Sequence, residues 1–116
     1  LQDWQAASQD LEKAIELQTN GEFCRRLAWL LATCPDESIC DGQRSLTLAR
    51  RAIEISGESA TNLDTLAAAF AAAGQFNRAR DVYSRVVSMT DSEDESSAIK
   101  QTAYENNERY QEKFDR

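Results

Sequence analysis

Apolar residues recur along this chain at three- and four-residue steps, in a pattern written twice in full and a third time by half. Residues 63–86 carry it most clearly, as Leu63, Leu66, Ala67, Phe70, Gly74, Phe76, Ala79, Tyr83 and Val86. Leu27, Ala28, Leu31 and Pro35 stand at the places of Leu66, Ala67, Phe70 and Gly74, while Ser45, Ala49 and Ala52 take those of Ala79, Tyr83 and Val86. Trp4, Ala7, Leu11 and Ala14 match Phe76, Ala79, Tyr83 and Val86. This spacing puts the apolar side chains on one face of each helix. Repeated helix pairs cannot bury such faces alone, so they stack and leave a groove. The expected function class is a surface that holds another molecule.

The same periodicity predicts six helices. The first covers 2–18 and is stopped by Asn20-Gly21, residues that tolerate the left-handed conformation after a helix. The second covers about 22–33 and ends at Cys34-Pro35, because proline disfavours the α conformation in the residue before it. Residues 35–41 form a loop. A third helix spans about 42–55, closed by Gly57, and a fourth opens at Thr61, with Asp64 as a reciprocal capping partner, and ends at Gly74. The fifth covers 76–89. Ser92 with Glu95 forms a capping box for the sixth, over about 94–114, and the acidic run Asp91–Ser96 reads as its start rather than as an acidic tail. In the sixth, Ile99, Ala103, Tyr110 and Phe114 make one apolar stripe among dense polar residues. That is what a terminal cap on stacked pairs needs. The units are then 2–18, the second helix of a truncated repeat; 21–56 and 60–90, two full repeats; and 92–114, the cap.

Composition narrows the picture. The 116 residues are enough for one domain, and 41% hydrophobic with 28% charged residues describes a folded protein rather than a disordered one. No apolar run approaches a membrane span, so a soluble domain of the cytoplasm or periplasm is expected. The opening Leu-Gln-Asp-Trp shows neither an initiator Met nor a signal pattern, and reads as part of a longer protein. A net charge of −7, with 20 acidic against 13 basic residues, disfavours nucleic acid and anionic membranes as partners.

The chain has no histidine, which removes the commonest general base and metal ligand together. Its three cysteines, Cys24, Cys34 and Cys40, lack the fourth ligand and the tight pair spacing that zinc requires. Cys24 falls at the place of Leu63 and is expected to be a small buried hydrophobe. Cys34 and Cys40 flank the loop and could be bridged in an oxidising compartment. A nucleophilic cysteine would have no histidine to serve as its base, and no glycine-rich phosphate loop is present. The expectation is a non-catalytic protein without cofactor or metal.

Leu66-Ala67, Phe70, Gly74, Phe76, Ala79 and Tyr83 resemble the tetratricopeptide repeat family. The resemblance covers residues 1–90 and implies an all-α, helical-hairpin solenoid: a right-handed superhelix of antiparallel pairs, closed by a capping helix. Ala28 and Ala67 are further apart than the family's usual period of about 34 residues. The excess lies between Pro35 and Ser45, as in a bacterial subgroup with a lengthened turn.

The resemblance further implies a groove lined by the first helix of each pair. Mapped residue by residue, the lining is Arg25, Trp29, Ala32 and Thr33 from one helix, and Thr61, Asp64, Ala68, Ala71 and Ala72 from the next. Such a floor would take a peptide or protein partner. Trp29 is either an aromatic anchor or core, and the alanine run 67–73 is either groove floor or a close helix contact. Two further readings stay open. One is self-association through residues 2–18, giving a homo-oligomer. The other is a thiol/disulfide element at Cys34 and Cys40.

Overall fold

Five of the six helices begin at a side chain that fills an orphan backbone donor, which is where the local sequence first commits the chain. A computed structural model describes residues 3–90 and 94–111. Helix α1 (Trp4–Leu17) starts at Asp3, α2 (Gly21–Thr33) at Asn20, α3 (Gly42–Ser56) at Asp41, α4 (Ala60–Ala72) at Ser59 and α6 (Glu95–Glu105) at Asp94. Each cap accepts a hydrogen bond from the amide three residues on. Helix α5 (Phe76–Thr90) follows α4 through a tight turn. There is no strand among the described residues.

Three caps differ from the sequence expectation. Asn20 opens α2 instead of closing α1, and Gly21 sits buried in the first turn of α2. Ser59, not Thr61, caps α4, while the Asn62 side-chain amide donates to the Gly57 carbonyl and ties the loop down. Asp94 caps α6; Ser92, the expected cap, lies outside the described residues. In each case two or three capping residue types stand close together, and sequence alone does not say which one the chain selects.

The helix packing is consistent with a helical repeat. Consecutive helices are in contact from α1 to α6, and α2 also packs on α4. Ala28 and Ala67 are both 0% exposed, and so are Ser45 and Ala79 on the following helices. At the α2–α3 crossing the Ser45 hydroxyl donates to the Ala28 carbonyl at 2.6 Å, an approach only small side chains allow. Cys24 and Leu63 are equally buried. The lengthened turn is the loop between α2 and α3, closed by an Asp41 amide bond to the Leu31 carbonyl at 3.1 Å. Inside it Asp36 accepts from both the amide and the hydroxyl of Ser38.

Helix α4 ends in a Schellman motif. Gly74 has φ +82°, and Gln75 and Gly74 donate back to the Phe70 and Ala71 carbonyls. The end of α6 repeats the device with an asparagine. Asn107 has φ +60°, Glu108 donates to the Ala103 carbonyl at 2.8 Å, and Asn107 donates to Tyr104. Helix α6 therefore stops at Glu105 and does not run on to 114 as its polar composition implied. Its buried stripe is also different: Ser97, Lys100 and Tyr104 face inward, while Ile99 is 42% exposed. Phe114 lies outside the described residues.

Candidate functional site

Charge and aromatic surface converge where α2 and α4 meet α6 and the segment after it. Asp64 on α4 is met by Lys100 of α6, Nζ to Oδ2 at 2.9 Å. The same ammonium lies 5.0 Å from the Trp29 ring centre and 5.3 Å from that of Tyr110. A cation over two aromatic faces gains from both ring quadrupoles. Burial works against the Lys100 charge, yet the Asp64 carboxylate outweighs it and holds the ammonium above its ordinary range.

After Asn107 the chain turns back over this surface. Arg109 donates from Nη1 to the Ala32 carbonyl at 3.2 Å, one of the last carbonyls of α2, where a cation is favoured by the helix dipole. Tyr110 packs on Trp29 with ring centres 5.9 Å apart and planes tilted by 45°. Arg80 of α5 holds the turn in place, donating from Nη1 to the Tyr104 carbonyl and to Asn107 Oδ1. Beneath it Tyr104 is buried edge-on against Tyr83, whose hydroxyl donates to Ser97.

The expected lining residues divide into two groups. Trp29 and Asp64 meet at the centre of this cluster, and Arg25 is half-buried on the same helix as Trp29, paired with Glu22 at 2.9 Å. Thr33, Ala68 and Ala71 are buried and offer no open floor. The Thr33 hydroxyl is spent on the Trp29 carbonyl of its own helix, at 2.7 Å. Of the other mapped positions, Ala32 is buried, Ala72 is half-buried and Thr61 is exposed. Ala67, Ala69 and Ala71 belong to the helix-packed core, and Ala68 is buried outside it.

Lys100, Arg109 and Tyr110 complete the cluster and were not among the sequence candidates. Lys100 carried a faint signal, since it stands three residues after Ser97 and four before Tyr104, on one helical face. Nothing local marks Arg109, whose hydrogen-bond partner lies 77 positions away.

In comparison with known proteins, no family model, curated sequence or solved structure matches the chain. The site is therefore read from its geometry alone.

Of the three thiols, Cys34 and Cys40 lie near enough to Arg109 for its charge to act on them. Cys24 and Cys34 are buried, Cys40 is half-buried, and the Cys40 thiol donates to the Cys34 carbonyl. Burial raises all three above the ordinary thiol value, which disfavours the nucleophilic thiolate. No helix among the described residues is long and apolar enough to cross a membrane, and no cluster of potential metal ligands occurs among them.

Proposed function

We propose that the domain is a non-catalytic binding module of tetratricopeptide type, holding a protein or peptide partner in the groove of α2 and α4. One observation carries this reading: the groove already accommodates a non-helical segment of polypeptide, residues 108–111, through a backbone carbonyl and an aromatic face. Paired small residues at equivalent, fully buried positions support the repeat assignment that underlies it. The test compares capture of partner proteins by the intact chain and by Trp29→Ala, with helicity measured on both. Capture lost at unchanged helicity supports the groove. Capture retained in full sinks it.

A second reading, self-association through α1, is favoured by that helix having no fully buried residue and by Leu17 being 87% exposed. Sedimentation equilibrium over a range of concentrations separates the two. The groove reading expects the monomer mass throughout, and a tight dimer abolished by Leu17→Glu would replace it.

A further inference from the structure

The groove proposed above is occupied in this structure by the chain's own residues, and the contacts they make describe a ligand. Arg109 satisfies a carbonyl at the C-terminal end of α2, where a cation is favoured. Tyr110 lies against the one tryptophan of the cluster. The segment that carries them is not helical. It is delivered by the Asn107 turn, which Arg80 anchors from α5. Asp64 on the same surface is already paired with Lys100, so the acceptor that calls for a cation here is the Ala32 carbonyl.

The seal is incomplete. Among the described residues, Asp64 Oδ1, the Tyr104 hydroxyl and Arg109 Nη2 are buried without a hydrogen-bond partner. A buried polar atom left unpaired costs more than a typical hydrogen bond returns. The closed arrangement is therefore one that a better-fitting segment can displace.

From these contacts we infer that residues 108–111 are an internal pseudo-ligand: they shut the groove against an extended segment of a partner protein in which an arginine is followed by an aromatic residue. This rests on the groove being the binding surface, and it names both the partner's chemistry and the regulation of that surface. Binding in trans then requires the Arg109–Tyr110 clasp to open. The apparent affinity of the intact chain is reduced by the fraction of molecules in which it is open.

The test uses the full chain and the blocked peptide acetyl-Asn-Glu-Arg-Tyr-Gln-amide. Binding is followed by tryptophan emission in a Trp4→Phe background, so that Trp29 is the reporter. The chain carrying Arg109→Ala and Tyr110→Ala is expected to bind this peptide at least tenfold more tightly than the chain with both residues in place, the factor for a groove open in about one molecule in ten. The same peptide with both its arginine and tyrosine replaced by alanine is expected not to bind. Circular dichroism monitors folding, and Tyr110→Ala alone, beyond the last helix, serves if the double variant loses helicity.

Equal affinities for open and closed chains overturn the pseudo-ligand while leaving the groove as a binding surface. Equal binding of the native and the alanine-substituted peptide overturns the arginine–aromatic ligand class. Absence of binding to every chain overturns the inference as a whole, whereas the binding-module reading falls only if Trp29→Ala leaves partner capture intact.

Discussion

An alanine at position 42 would place its methyl carbon 2.4 Å from the Ala72 carbonyl oxygen and 2.5 Å from its carbon. Both obstacles are backbone, so no change of rotamer relieves the clash, and α3 must move away from the end of α4. Overpacking of this kind costs about 1–3 kcal/mol. Gly42→Ala is expected to lower the thermal midpoint by several degrees in a melt followed at the helical band, and an unchanged midpoint would show that the two helices are not held this close. Tyr104 exerts its effect through pH. Burial pushes its phenol well above the ordinary value of 10.0, and Lys100 is likewise held above its ordinary 10.5. For both groups the folded value exceeds the unfolded one. Their contribution to stability is complete below about pH 10 and is lost as pH climbs from there through the folded values. Urea unfolding at stepped pH should show a plateau up to that point and a decline beyond it. Tyr104→Phe removes one source of the decline, and also removes a buried hydroxyl without a partner, so its loss at neutral pH should be small. An equally steep decline in the variant would contradict this.

At the scale of single helices, the end of α6 decides whether the chain turns back over Trp29. Asn107 adopts φ +60°, a conformation that costs an ordinary L-residue about 1–2 kcal/mol and glycine almost nothing. Asn107→Gly keeps the left-handed turn but loses the Arg80 bond, so it should fall slightly below the parent in chemical denaturation, and Asn107→Val, which loses the bond and strains the turn, should fall about 1 kcal/mol further. The reverse order would mean that the turn is not a left-handed cap. This helix also shows where sequence reading succeeds and where it stops. The seam of Ala28 and Ala67 was legible because two short-range patterns repeat around it, each fixed by helical periodicity. The stop of α2 was legible because a proline removes the backbone donor outright. Asn106-Asn107 carries no such prohibition: asparagine only tolerates the left-handed region, and the polar residues beyond it fit a continued helix equally well. Asp64 and Trp29 were singled out through the repeat pattern, and the structure brings them together around Lys100. Lys100 was missed because a lysine on an inward face reads as solvent-facing until its carboxylate and aromatic partners are in view.

For the whole molecule, a radius of gyration of 13.4 Å is close to the value of about 13 Å for a closed globule of this size. The stacked pairs do not stand open, because α6 and the segment after it fold back across them. The clasp also has a history within folding. Joining Arg109 to Ala32 closes a loop of 77 positions, whereas the contacts that build each hairpin are local. Closing so long a loop carries a large entropic cost until the helices between its ends are already in place. In a Trp4→Phe chain, refolding followed by stopped flow should show backbone ellipticity recovering first and the Trp29 emission change trailing it; simultaneous recovery would count against that order. On a ribosome the same sequence of events leaves Trp29 uncovered until residues 109 and 110 have emerged. On the proposed reading, the nascent domain passes through an interval in which its groove is built but not yet closed, an opening that mature copies regain only by releasing the clasp.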